Sequence, residues 1–283
     1  MFPIGKMSKV LEVSRSSYYH WLSSEPSARS VENRKLTDEI GRIHAQSRQI
    51  YGSPRITAEL NAGSKKASRP RVARLMQKAG IRSKLTKKYR VATTDSKHGF
   101  FIAPNLLDRD FKVGRIGKVW VSDITYIPTA QGWLYLTTVI DLGDRKVIGW
   151  ALSTTMKAED TTVAAWKMAV INRPICSKLI FHSDRGVQYA CTEFTDLLKT
   201  YTKVTRSMSR KGNCWDNAVA ESFFKSMKSE WTKWCRYQTF RQAELSVFEY
   251  IETWYNNHRK HSSLNYMTPT EYHYFLQTQN MAA

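Results

Sequence analysis

The sequence predicts an α/β chain: a mixed sheet flanked by helices, preceded by a small all-α region. Through the first third, apolar residues recur at intervals of three and four; from about residue 118 the pattern becomes that of strands rich in Val, Ile, Thr, Tyr and Trp. Charge divides the chain at the same place. Its 44 Lys and Arg against 24 Asp and Glu leave a formal +20, of which residues 1–113 carry +14 and residues 114–283 only +6. A polyanionic partner is expected, and the N-terminal third is expected to be the stronger binder of it.

With 283 residues, 42% of them hydrophobic, the chain can bury a sizeable core, and wholesale disorder is excluded. No run approaches the ~18–20 apolar residues of a membrane helix. The opening residues MFPIGK lack a sustained apolar stretch, so secretion is not expected. Cys176, Cys191, Cys214 and Cys235 have no C-x-x-C spacing, which reads as reduced thiols in a cytoplasmic protein rather than a disulfide or zinc framework.

Residues 1–33 read as a partial helix-turn-helix-like segment. Val10, Leu11 and Val13, then Ser14 with Tyr18, Trp21 and Leu22, resemble the latter half of such a unit without its leading helix. Either the segment docks as a plain amphipathic helix, or the chain begins partway through a longer product. Residues 34–94 read as a basic helix-turn-helix domain. Leu36, Ile40 and Ile43 form one stripe, Ile56 and Leu60 a second, and Val72, Leu75, Met76 and Ala79 a third. Ser53-Pro54 and Ser68 with Pro70 mark helix starts, and Gly80 a helix end. The other face of the third helix carries Arg71, Arg74 and Lys78, the layout of a helix that reads a DNA major groove. No acid lies between Glu59 and Asp95, while eleven bases fall from Lys65 to Arg90, enough to neutralise several phosphates. A solvated basic face or a ribosome-type RNA contact would share this composition.

Residues 95–114, with Gly99, Pro104 and Asn105, read as a linker or strand-like arm. In residues 115–235, strands are expected at 118–127, 133–141 and 146–152, separated by turns at Gln131-Gly132 and Gly143-Asp144. A helix follows over 159–172, a strand over 179–183, a helix over 193–200, a strand over 203–208 and a helix from about 216. The order βββαβαβα implies a mixed sheet with flanking helices. Residues 236–283 are expected to extend this core as helices.

Three carboxylates stand out. Asp123 lies mid-strand between apolar neighbours, where an unpaired charge is costly. Asp184 closes the strand 179–183, where a side chain can reach a surface site. Each alone is most simply a turn cap or a salt bridge. Glu221 lies on a helix with Asn217, Lys225 and Lys228 at i−4, i+4 and i+7 on its face, while Val219 and Phe223 point the other way. Together the acids suggest a hard-metal site beside a phosphate track, since Mg²⁺ favours a few carboxylate oxygens. An ordinary surface helix with a Glu–Lys pair remains the simpler account of Glu221 alone.

These residues sit in longer motifs: W-x-x-D-I-T-Y at 120–126, H-S-D-R-G-x-Q-Y at 182–189, and S-x-K-G-N-C-W-D-N-A-x-x-E-S-F-F at 209–224. To them are added W-Y-N-N-x-R-x-H-x-x-L-x-x-x-T-P at 254–269, Y-G-S-P-R-I-x-x-x-L at 51–60 and R-V-x-R-L-M-x-x-x-G-I at 71–81. The set resembles the D,D,E transposases of bacterial insertion sequences, and more closely their second-reading-frame product with a retroviral-integrase-like core. The resemblance implies a ribonuclease-H-like core in which Asp123, Asp184 and Glu221 are catalytic and hold two Mg²⁺ or Mn²⁺ ions, with Lys225 and Lys228 as DNA contacts. It further implies cleavage at transposon ends and joining by 3′-hydroxyl attack, with double-stranded transposon ends and target DNA as substrates. A homo-oligomer on DNA, an upstream-frame DNA-binding partner or fusion, and a nucleoid-associated cytoplasmic location follow from the same likeness. The alternatives are a nuclease that only hydrolyses and a helix-turn-helix DNA-binding protein with an inactive integrase-like core.

Asn217 is expected behind the site. His182 is either a group behind a metal ligand or a satisfied core histidine. His258, Arg259, Lys260 and His261 lie on a polar segment that either contacts a DNA backbone or is solvated. The 36 residues between Asp184 and Glu221 exceed the family's usual spacing by one. The surplus is expected in the connection around 200–203, leaving the following strand in register.

Overall fold

In a computed structural model, residues 3–63, 65–84 and 99–281 are described. The chain divides into two compact units, Met1–Lys84 and Leu85–Ala283. Lys87, Lys88 and Arg90 of the basic run, and the expected boundary between residues 94 and 95, lie outside the described residues.

The first unit holds helices α1 (Ile4–Val10), α2 (Arg15–Ser23), α3 (Ala28–Gln46), α4 (Ser53–Ala62) and α5 (Arg69–Lys78). The three apolar stripes meet as their spacing requires: Leu36, Ile40 and Ile43 of α3, Ile56 and Leu60 of α4, and Val72 and Met76 of α5 are buried, joined by Ile50 and Tyr51. Pro54 and Pro70 lie in first turns, where the missing N–H costs nothing. Gly80 takes φ +68°, so that the Ile81 N–H can donate to the Met76 carbonyl (2.9 Å) and close α5. Ala79 is exposed, because it is already the C-cap. Residues 1–33 differ from expectation in having a helix, α1, ahead of the one capped by Ser14; with seven residues it is too short to show a period. Ser14 Oγ accepts from the Ser17 N–H (3.0 Å), and Val10, Leu11, Trp21 and Leu22 are exposed.

The second unit is built on β1 (Val119–Thr129), β2 (Gly132–Asp141), β3 (Val147–Ser153), β4 (Leu179–Ser183) and β5 (Val204–Met208), in the order β3-β2-β1-β4-β5. The first three are antiparallel neighbours, while β4 pairs parallel with both β1 and β5. Between them run α6 (Ala164–Asn172, entered through a π turn), α7 (Val187–Ala190) and α8 (Thr192–Lys199). Then come α9 (Ala218–Glu230, entered through a 3₁₀ turn at Cys214–Asn217), α10 (Phe240–Phe248, continued as a π stretch to Tyr255) and α11 (Pro269–Met281). The sheet-and-helix order is the ribonuclease-H-like one expected. One core gathers Trp120, Trp166, Phe181, Tyr189, Phe194, Leu198 and Met208. Trp166 and Phe181 meet edge to face at 5.1 Å. α9 buries Ala220, Phe223, Phe224 and Met227, and packs against β1. Gly149 lets α6 lie directly on β3: a Cβ there would strike the Ala165 carbonyl and stand 2.7 Å from Ala169 Cβ.

β5 keeps unbroken register with β4 from Leu179↔Val204 to Ser183↔Met208, so the longer spacing before Glu221 does not disturb the strand. Two expectations change. Residues 99–114 have no regular structure, as expected, but the stretch is not a free linker. Leu106 N–H donates to Ser207 Oγ (2.9 Å), Met208 N–H to the Pro104 carbonyl, and Ala103 and Leu107 are buried, so the arm covers the β5 edge. Arg259 is neither solvated nor available to DNA. It is buried, and its Nε and Nη2 donate to Glu230 at 2.7 and 2.6 Å. Lys260 pairs with Glu271 and His261 packs on Tyr255; only His258 of the four is exposed. Among the described residues, no helix is long and apolar enough to cross a membrane.

Two outcomes follow from this packing. Gly149→Ala should destabilise the second unit by about 1–3 kcal/mol, because the obstruction is backbone and cannot swing aside; a thermal melt unchanged from wild type would contradict that close approach. Arg259→Leu should cost about 3–5 kcal/mol by stranding Glu230, and adding Glu230→Leu should recover most of it. Equal denaturant midpoints for the single and double variants would show that the pair is not the cause.

Candidate active site

The register of the sheet brings two of the singled-out acids side by side. The parallel β1–β4 ladder ends at Ser122↔Ser183, so Asp123 and Asp184 are the next residues on strands ~4.8 Å apart. They stand where β4 leaves the sheet. Asp184 Oδ1 accepts the Gly186 N–H (2.9 Å), which shapes the turn into α7. Ile124 N–H donates to Asp123 Oδ1 (2.9 Å).

Glu221 comes from the first turn of α9. The start of that helix is tied to β1 by Asn217, whose Nδ2 donates to the Ser122 carbonyl (3.0 Å), one residue before Asp123. Asn217 is buried, and among the described residues its Oδ1 has no hydrogen-bond partner.

The acids feel one another. Burial raises the Asp123 carboxyl well above the usual range, and the charges of Asp184 and then Glu221 push it further, against the Ile124 N–H and Lys228. Burial also raises Glu221, with Asp184 adding to it. Both keep a path to solvent: Asp123 is half-buried and Glu221 exposed at its surface. Burial lowers the Lys228 ammonium, opposed by the Asp123 charge. As they stand, no group of three His, Cys, Asp or Glu among the described residues is close enough together to hold an ion. The carboxylates are coupled through space rather than closed into a cage.

Other expected residues fall elsewhere. His182 is fully buried, with Nδ1 2.8 Å from Ser207 Oγ and Nε2 3.2 Å from Ser209 Oγ, and burial lowers its pKa to about 4. Both ring nitrogens are used between β4 and the end of β5, which is the geometry of a neutral core histidine. Lys225 is exposed on α9 and Lys228 half-buried. In the first unit, Arg74 and Lys78 are exposed, but Arg71 is occupied: its Nε and Nη2 donate to Asn33 Oδ1 (3.0 and 2.8 Å), and Nη2 lies 2.9 Å from Glu32. Arg71 therefore fastens α5 to α3 instead of facing outward.

Sequence reasoning passed over Asp216. Fully buried, it accepts from Arg109 Nε, Arg210 Nε and Nη2 and the Arg210 N–H, each at 2.9 Å, and from Asn105 Nδ2 at 3.0 Å. Its carboxyl is held far below the ordinary range, chiefly by Arg210. The only signal was its place inside the motif at 209–224, since Arg109 lies more than a hundred residues earlier.

Residues 115–214 and again 202–269 match the integrase core domain family, and residues 31–89 match the HTH-like domain family. A 31 kDa protein of the insertion element IS600 from Shigella sonnei is 38% identical over 94% of this chain and 97% of its own length. Transposase InsF for insertion sequence IS3A of Escherichia coli (strain K12) is 36% identical over 96% of this chain and 94% of its own. Among solved structures, the simian T-cell lymphotropic virus intasome with PP2A regulatory subunit B56 gamma aligns over 83% of this chain and 74% of the matched one at 12% identity, TM-score 0.45. The HTLV-2 integrase catalytic core domain in complex with magnesium aligns over 56% and 97% at 15% identity, TM-score 0.42. By its curated relatives, matched almost end to end, the chain belongs to the InsF-type family of insertion-sequence transposases, with an HTH-like domain ahead of an integrase core.

Proposed function

We propose that Asp123, Asp184 and Glu221 are the catalytic carboxylates of a DNA transposase that cleaves at transposon ends and joins the freed 3′-hydroxyl to a target strand. The observation that supports this is the placement of the acids: strand register sets Asp123 beside Asp184 at the sheet end, and the helix whose first turn carries Glu221 is tied by Asn217 to Ser122. Three carboxylates without a soft donor among them suit Mg²⁺ or Mn²⁺, and the unpartnered Asn217 Oδ1 adds a neutral oxygen behind them. When bound, two such ions would supply charge stabilisation for an in-line displacement at phosphorus.

The chain's own contribution is placement. Adjacent strands fix Asp123 and Asp184, while Asn217 fixes the helix that presents Glu221. Lys228 offsets part of the negative charge at Asp123, and with Lys225 offers a cationic face to the DNA backbone along α9. Because no side-chain nucleophile is required, the same site can take water in the first step and a DNA 3′-hydroxyl in the second, the difference being which one is positioned for attack. In the first unit, Arg74 and Lys78 are the duplex contacts, and Arg71 sets the attitude of the helix that bears them.

Asp123→Asn, Asp184→Asn and Glu221→Gln should each lower Mg²⁺-dependent end cleavage and strand joining by at least about 10³-fold, with duplex binding retained. Retention of activity by all three amides in a labelled-end joining assay would reject the assignment. Arg74→Ala with Lys78→Ala should weaken duplex binding and reduce the slope of log K against log salt by about one per lost contact. Arg71→Ala should instead lower the melting temperature of the first unit. An unchanged salt slope in the double variant would move the DNA surface off α5.

A further inference from the structure

An exposed tryptophan lies six residues before Glu221, on the turn that leads into its helix. Trp215, in the 3₁₀ turn that leads into α9, is 68% exposed. Among the described residues it meets no other ring, and its indole N–H has no acceptor. The turn on which it is mounted is held from beneath. Asn213 Oδ1 accepts from Arg109 Nη2 (2.8 Å), Asp216 is clamped by Arg109, Arg210 and Asn105, and Asn217 is bonded to the Ser122 carbonyl. Beside the half-buried Asn213 and the buried Asp216 and Asn217, Trp215 faces outward on this support.

Its position is as telling as its exposure. Trp215 is two residues from Asn217, at most ~7 Å of chain, and Asn217 touches the residue before Asp123. Lys211, exposed on the same loop, and Lys225 and Lys228 along α9 give the surroundings a positive charge suited to a phosphate backbone. An exposed aromatic ring carried on a fixed turn, with cations on the same loop and on the helix that follows, is what a nucleobase stacks on, since every base offers a π face and the cations hold its phosphates.

We propose that Trp215 is a base-stacking platform: it receives an unpaired nucleobase next to the phosphodiester held at the carboxylates. This rests on the reading that DNA occupies the site. The platform needs no particular base, so it steadies a frayed strand end without selecting its sequence. Asp216 is then a positioning residue for the platform and for Glu221 together.

The test uses the full chain and three fluorescent duplexes of one arbitrary sequence: blunt, with a single-stranded thymidine overhang, and with the same overhang made abasic. Affinities are read by anisotropy. The wild type should prefer the thymidine overhang to the abasic one by about tenfold. Trp215→Ala should erase that preference while leaving blunt-duplex affinity and the melting temperature unchanged, and Trp215→Phe should keep part of it. An equal loss on thymidine and abasic overhangs, or no loss, would overturn the proposal. So would disruption of a self-associated form by Trp215→Ala with the overhang preference intact, since the ring would then be a contact between copies. The Asp123→Asn variant separates the two readings. If the wild type cleaves nothing but the Trp215-dependent preference persists in both backgrounds, the catalytic assignment fails and the stacking assignment stands.

Discussion

Like charges held together against their repulsion are the constraint on which the second unit is organised. The charges of Asp184 and Glu221 raise the cost of ionising Asp123, and that of Asp184 the cost of ionising Glu221; a free chain would relieve both by letting Glu221 swing away. The fold denies that relief. Two of the acids are fixed by strand register, and the third by a helix restrained at both ends. At its start, Asp216 and Asn217 bind α9 to the arm 99–114 and to β1; at its end, Glu230 is locked to Arg259. Between these ties the apolar face of α9 is buried, so the helix has little freedom to turn.

Buried ion pairs of this kind are poor evidence for stability, because desolvation offsets most of the Coulomb gain. Their value here is geometric. A bidentate Arg–Glu pair fixes the angle between α9 and the C-terminal segment in a way that interchangeable apolar contacts would not. A second such cluster sits at the sheet's other end, where Arg173 bridges Asp141 and Asp144 and His273 of α11 closes on Asp144 (2.8 Å). The C-terminal helices are thus fastened to the sheet by charge as well as by packing. Within residues 254–269, polar in sequence, Asn256, Arg259 and Thr268 are accordingly buried beside Trp254, Tyr255 and Leu264.

What the sequence made legible was whatever has a short period. The strands of residues 118–152 are dense in Val, Ile, Thr, Tyr and Trp between turn residues, the stripes of α3 to α5 recur every third or fourth residue, and the three acids sit in motifs long enough to be recognised. What stayed hidden depends on partners far away in the chain. Arg71 looks outward on a helical wheel until Glu32 and Asn33 of α3 are brought beside it. Arg259 looks solvated until Glu230 meets it, and the arm at 99–114 looks like a linker until Ser207 and Asp216 take its hydrogen bonds. His182 was ambiguous for the same reason, since only β5 pairing supplies its two serine hydroxyls.

If the three acids form one site, Glu221 joins it from an element separate from the strands that carry Asp123 and Asp184. Titrating Mn²⁺ into the full chain and reading bound ion by electron paramagnetic resonance tests it without relying on catalysis. Binding to the wild type that is weakened about tenfold or more by Glu221→Gln, as by Asp123→Asn, is the predicted result. Mn²⁺ affinity lost with Asp123→Asn but untouched by Glu221→Gln would place Glu221 outside the site and contradict the account.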